Sequence, residues 1–162
     1  MIARTYVAVP GGGITDKDAA VVGPELERVF GDQPRTAEEV VRAARPKRSP
    51  LHPHFEWDDT AAAEEYRREQ ARWLLRHIAV VESNGEERPP TRAFHAVTVE
   101  GVSGRVYVPA RVVWSNPDFS SQIVAKAHRE LVAWAARHRE YEVLASRHIA
   151  AVERVAEEIL AA

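Results

Sequence analysis

From Pro117 to Ala162 the chain carries no glycine and no second proline, so once a helix begins there nothing in the backbone chemistry stops it. The stretch Ser115-Asn116-Pro117-Asp118 begins one: Asn116 can cap, Pro117 suits the first helical position, and Asp118 is favoured by the positive end of the helix dipole. Val124, Ala127, Leu131, Trp134, His138, Tyr141, Ala145, His148, Val152, Val155 and Ile159 then recur at alternating spacings of three and four, which gives one apolar stripe. If straight, about 44 residues at ~1.5 Å each reach roughly 66 Å, whereas a compact domain of this size is about 40 Å across. The segment therefore projects or doubles back, and the polar stretch Arg137 to Glu142 is the place for a turn. Either way the stripe needs a cover, and we expect self-association into a homo-oligomer through Leu131, Trp134, Tyr141, Val152, Val155 and Ile159.

Ahead of this segment the signals are mixed. Pro10 followed by Gly11, Gly12 and Gly13 predicts a mobile N-terminus over residues 1–15, and no phosphate-loop pattern surrounds the glycines. Ala20, Leu26, Val29 and Phe30 admit a helix over Asp16 to Phe30, which Gly23-Pro24 should break or kink. Thr36-Ala37-Glu38-Glu39 is a capping box that starts a helix running to about Arg45. Pro46, Pro50 and Pro53 make residues 46–57 an extended connector. Asp58, Asp59 or Thr60 caps a helix reaching about Ile78, with Ala62, Tyr66, Trp73, Leu74, His77 and Ile78 on its apolar side and Arg67, Arg68, Arg72 and Arg76 largely elsewhere. Val80 to Glu82 reads as a short strand before Asn84-Gly85. Ala93 to Glu100 and Arg105 to Trp114 read as a β-hairpin about Gly101-Val102-Ser103-Gly104, the second strand alternating wet and buried positions and being an edge or ending at Pro109. The expected architecture is α+β: a mobile start, a small α+β domain over 16–114, and a helical oligomerisation segment over 115–162.

Composition removes several function classes. The absence of cysteine excludes disulfides, thiolate metal sites and thiol nucleophiles. Lysine and arginine number 22 against 24 acidic residues, a formal charge of -2, so any attraction for a polyanion must come from a local patch. No apolar run approaches the ~20 residues of a membrane span, and Met1 to Pro10 contains Arg4 and lacks the apolar core of a signal peptide. No Ser/His/Asp order, H-E-x-x-H, paired-carboxylate motif or nucleotide fingerprint is present, so enzymatic function is the least supported class and no cofactor is expected.

The segment Ser49-Pro50-Leu51-His52-Pro53-His54-Phe55-Glu56-Trp57-Asp58-Asp59, followed by Ala62-Ala63, Tyr66-Arg67 and Gln70-Ala71-Arg72, resembles a family of uncharacterised proteins encoded by tailed phages and prophages. Val22-Gly23, Leu26 and Thr36 to Val41 upstream, and Tyr107-Val108-Pro109, Pro117-Asp118 and Glu130-Leu131 downstream, are similar to the same group, with Leu-His-Pro-x-Phe-Glu-Trp-Asp as its most specific core. The resemblance implies phage or prophage origin, and hence the host-cell cytoplasm; it implies no activity and no catalytic residue.

Two constellations have both a chemical and a structural reading. In extended backbone His52, His54 and Glu56 point the same way and offer two imidazoles and a carboxylate to a metal, but Leu51, Phe55 and Trp57 equally read as anchors for the connector, which is the better supported account. Arg42, Arg45, Lys47 and Arg48 lie beside Arg67, Arg68, Arg72 and Arg76 if the two helices pack, and together can track a phosphate backbone; the competing account is a solvated face in which Glu64, Glu65 and Glu69 neutralise them. The sequence thus predicts a non-enzymatic, oligomeric accessory protein that binds DNA in regulation, replication or packaging. The alternative is a protein-protein module acting on a host or phage protein.

Overall fold

The computed structural model describes residues 3–11, 13–58, 63–83 and 89–161, the side chains of residues 3 and 142–146 excepted, and its fold is α+β. The chain divides into two compact units, Met1–Val113 and Trp114–Ala162, close to the boundary expected from the sequence except that the first residues belong to the first unit. In order, the elements of the first unit are β1 (Ala3–Ala8), α1 (Asp16–Phe30), β2 (Arg35–Thr36), α2 (Ala37–Ala44), α3 (Ala63–His77), β3 (Ile78–Ser83), β4 (Thr91–Arg92), β5 (Phe94–Val97), β6 (Val106–Pro109) and the start of α4 (Ala110–Ser115).

The start of the chain, expected to be mobile, is a strand. β1 pairs antiparallel with β3 from Ala3 opposite Ser83 to Ala8 opposite Ile78, and β4 lies on the other side of β3. Tyr6 is buried on α1 directly over Gly23, where a Cβ would fall 2.2 Å from the ring Cγ. That close approach explains the glycine, and the expected break at Gly23-Pro24 does not occur: α1 is one helix. Pro24 and Ala20, whose carbonyl its missing N–H would have reached, are both exposed, so water can take up the lost bond. Thr15 opens α1 with a capping box closed by Asp18.

α2 starts where its capping box predicts, the Thr36 hydroxyl accepting from Glu39 N–H at 3.2 Å and the Glu39 carboxylate accepting from Thr36 N–H at 2.8 Å. Its Val40, Val41 and Ala44 join Val22, Leu26 and Phe30 of α1, Leu74 and Leu75 of α3, and Phe94 of β5 in one core. α3 reaches His77 as expected, but its buried face is Ala63, Arg67, Ala71, Leu74 and Leu75, rotated from the predicted one, and Tyr66 is 56% exposed. Of its candidate caps, Asp59 and Thr60 lie outside the described residues, as do Ala62 and the Asn84-Gly85 breaker.

β5 and β6 form the predicted hairpin, Phe94 opposite Pro109 and Val97 opposite Val106. β2 adds to the far side of β6, which makes β6 central and not an edge, and all four of its residues are buried instead of alternate ones. Pro109 ends it, one of the two outcomes expected of that proline, and the rest of the β-prone run, Ala110 to Trp114, turns into α4. Arg111 fastens that helix to α1 by pairing with Glu27 at 3.1 Å and with Asp32.

The second unit resolves the long helical segment in favour of doubling back. Asn116 caps α5 (Pro117–Arg137), accepting from Asp118 N–H at 2.9 Å and Phe119 N–H at 3.3 Å. A 3-10 turn at Arg139–Tyr141 leads into α6 (Glu142–Ala161). His138 occupies the turn with its ring stacked on Trp134 at 4.6 Å, and Arg139–Glu153 and His128–Glu157 approaches of 3.4 and 3.6 Å fix the two helices as antiparallel.

Candidate functional site

The most specific motif in the sequence turns out to hold the connector together. Pro46 to Phe55 is a chain of tight turns, with N–H bonds from Ser49 to Pro46, His52 to Ser49 and His54 to Leu51, and not the extended segment that its prolines suggested. Leu51 and Phe55 are buried as the expected anchors. Trp57 is the hub: its ring stacks on His52 at 4.7 Å, its indole N–H donates to the His52 carbonyl at 2.9 Å, and the Arg67 and Arg45 guanidinium carbons lie 5.1 and 5.7 Å from it.

This packing removes three residues from the predicted chemistry. Because residues 52–54 form a 3-10 turn, His52 and His54 do not share a face as alternate residues of a strand would. The His52 ring is committed to Trp57 and, through Nδ1, to the Ala44 carbonyl at 3.1 Å. Among the described residues no three His, Asp or Glu side chains are grouped to hold a metal ion. Arg67, counted as a phosphate contact, is wholly buried: its Nε donates to the Glu56 carbonyl at 2.7 Å, and its terminal nitrogens reach Glu64 at 2.8 Å and the Asp58 carbonyl at 3.3 Å. A buried guanidinium needs those acceptors and has nothing left for a ligand.

The remaining basic residues fall into two groups at opposite ends of α2. At its C-terminal end Arg45 pairs with Glu64 at 2.8 Å and helps hold that carboxyl below the usual carboxylate range, while Lys47 and Arg48 are exposed with no ion pair among the described residues. At its N-terminal end a cleft of about 450 Å³ opens between α2, α3 and the β5–β6 loop. Arg68, Arg72 and Arg76 line it from successive turns of α3, Arg105 and Ser103 from the loop, and Thr36, Ala37 and Glu38 from the start of α2. Spacing of four residues puts the three α3 arginines together in the sequence, whereas nothing local to Arg105 announces that its loop reaches them.

Acidic neighbours neutralise part of this cleft and leave part open. Arg68 pairs with Glu65 at 2.7 Å, and its buried Nε has no hydrogen-bond partner. Arg72 pairs with Glu69 and, at 3.4 Å, with Glu65; the Glu69 hydrogen bond raises its pKa further above the arginine value. Arg76 and Arg105 have no ion pair among the described residues. On the other side of the β2–α2 junction a second recess of about 340 Å³ is lined by Arg28, Arg35, Arg42, Val29, Ala43 and Glu39. Arg42 reaches Glu38 only at 3.7 Å.

In the hairpin unit, only Ala135, Ile149 and Ala156 are fully buried among the side chains described. Leu131, Val152 and Ile159 are half-buried, while Trp134, Tyr141 and Val155 are 39, 49 and 43% exposed. No helix is long and apolar enough to cross a membrane among the described residues. No protein-family profile, curated protein or solved structure matches the chain.

Proposed function

We propose that the chain is a non-enzymatic accessory protein of phage or prophage origin that binds DNA through the cleft at the start of α2 and self-associates through its helical hairpin. One observation carries the first half: Arg76 of α3 and Arg105 of the β5–β6 loop converge on a single concave site without described carboxylate partners. Adjacent Arg68 and Arg72 line the same cleft, and the start of a helix adds a favourable field for an anion. Arg42 in the neighbouring recess extends the basic surface around the β2–α2 junction. Arg45, Lys47 and Arg48 at the other end of α2 are secondary contacts in this reading, and Arg67 is none.

The test is a titration of labelled DNA at several salt concentrations. Phosphate contacts release counterions, so log K falls linearly with log salt at roughly 0.7–0.9 per neutralised phosphate. Three or four arginine contacts predict a slope near -3, reduced by about one in Arg76→Ala. No binding at low salt, or binding that ignores salt, removes this reading.

The exposed apolar side chains of the hairpin favour a second reading, a docking module for a host or phage protein. It predicts that replacing Arg72 and Arg76 leaves function intact, whereas a charge at Leu131, Val152 or Val155 abolishes it.

A further inference from the structure

Around α3 the basic cleft does not end at a bland surface. At 100° per residue, Arg68, Arg72 and Arg76 follow one another at steps of about 40°, Trp73 comes roughly 60° beyond Arg76, and Tyr66 about 20° beyond Trp73. Tyr66, Trp73, Gln70 and His54 line a separate recess of about 380 Å³, and Glu69 and Arg76 line both recesses. The helix therefore presents, side by side, a row of guanidinium groups and a shelf of aromatic rings, joined by a shared arginine.

The rings are placed to be used. Tyr66 is 56% exposed. Trp73 is half-buried and braced from behind by His77, whose ring stacks on it at 4.8 Å and whose Nδ1 lies 2.7 Å from the Trp73 carbonyl. A braced, partly exposed indole loses little conformational freedom on binding a flat ligand.

We infer that this combined surface binds single-stranded nucleic acid, phosphates lying in the arginine cleft and unpaired bases stacking on Tyr66 and Trp73. The inference deepens the proposed DNA binding and rests on it. Two physical arguments select the single strand. The arginines stand inside a cleft walled by α2 and the β5–β6 loop, so α3 cannot enter a major groove about 12 Å wide that a bare helix of 10–12 Å already fills. In a duplex the base faces are occupied by their neighbours, whereas a single strand can turn a base onto a side-chain ring while its backbone stays with the cations.

The experiment compares fluorescein-labelled oligo(dT), oligo(U) and a mixed-sequence duplex of equal length at low salt, by anisotropy, with intrinsic tryptophan emission followed in parallel. The single strands should bind at least about tenfold more tightly than the duplex. Tyr66→Ala should weaken single-strand binding about tenfold and leave the duplex unaffected, and Tyr66→Phe, which keeps the ring, should restore it. Oligonucleotide should quench tryptophan emission in the parent protein and not in Trp73→Phe. Comparison of oligo(dT) with oligo(U) distinguishes DNA from RNA as the source of the strand. Equal affinity for duplex and single strand, with no effect of Tyr66→Ala, overturns this inference and leaves the basic cleft standing as a duplex site; no salt-dependent binding of any of the three overturns both.

Discussion

Arg67 and Arg76 lie on one helix and carry the same charge, yet their surroundings assign them opposite work. The Arg67 guanidinium is sealed beneath Trp57 and satisfies the Glu56 and Asp58 carbonyls of the connector. Arg67→Met removes the donor that both carbonyls share and the Trp57 contact, and we expect a loss of about 2–4 kcal/mol in urea unfolding. Arg76→Ala should change stability by under ~0.5 kcal/mol while lowering affinity for nucleic acid. A stable Arg67→Met protein with impaired binding would reverse these assignments. Gly23 makes a second residue-scale argument, because glycine to alanine within a helix ordinarily stabilises by ~0.5–1 kcal/mol. Here the new methyl group would overlap the Tyr6 ring, with its Cγ at 2.2 Å, so Gly23→Ala should destabilise by about 1–3 kcal/mol. In a Tyr6→Ala background the sign should return to neutral or stabilising; a cycle measuring both singles and the double mutant reads that coupling directly.

At the scale of elements, α2 shows how a local signal fixes both a fold boundary and a site boundary. Burial tends to raise the Glu39 pKa, but hydrogen bonds from the Thr36 N–H and from Arg35 outweigh it and hold the carboxyl below its usual range. A carboxylate lowered in the folded state stabilises fully above its ordinary value of 4.5, and the contribution disappears as pH falls through the lowered value. Glu39→Gln should therefore cost about 0.5–1.5 kcal/mol at neutral pH and progressively less as the pH is lowered below 4.5, measured by denaturant titration over a series of pH values. The Thr36 and Asn116 caps, the β5–β6 hairpin and the Leu51 and Phe55 anchors were legible because each depends on neighbours within a few residues. β1 was not, since its partner β3 lies seventy to eighty residues away, and that pairing, with Tyr6 seated on Gly23, orders Ala3–Ala8. The apolar spacing of α3 predicts a different buried face, because arginine ordinarily faces solvent, whereas here the connector carbonyls satisfy a buried Arg67. The site follows the same division: spacing on α3 marked Arg68, Arg72 and Arg76, while Arg105 and the start of α2 reach them only through tertiary contact.

For the molecule as a whole, the hairpin raises the question of what two helices can keep dry. A pair of helices buries one stripe on each, and here the three fully buried side chains that are described include two alanines, which contribute little apolar area. Trp134, Val155 and the 53%-exposed Leu160 are left to solvent, and covering a Val or Leu side chain is worth ~1.5–3 kcal/mol each. On the proposed self-association, Val155→Glu places a charge in that contact and should weaken the dimer at least a hundredfold, since about 2.8 kcal/mol corresponds to two decades. Sedimentation equilibrium across a wide concentration range reads the change. A parent protein that stays monomeric throughout refutes the assembly. If the proposed assembly joins two copies of the proposed binding cleft, the second contact with a long strand becomes an intramolecular step at millimolar effective concentration. The Val155→Glu protein should therefore bind an oligonucleotide long enough for one cleft as well as its parent does, yet lose tenfold or more on a strand long enough for two. Equal losses on both lengths would mean that the hairpin contributes to the binding surface itself and not to the number of surfaces brought together.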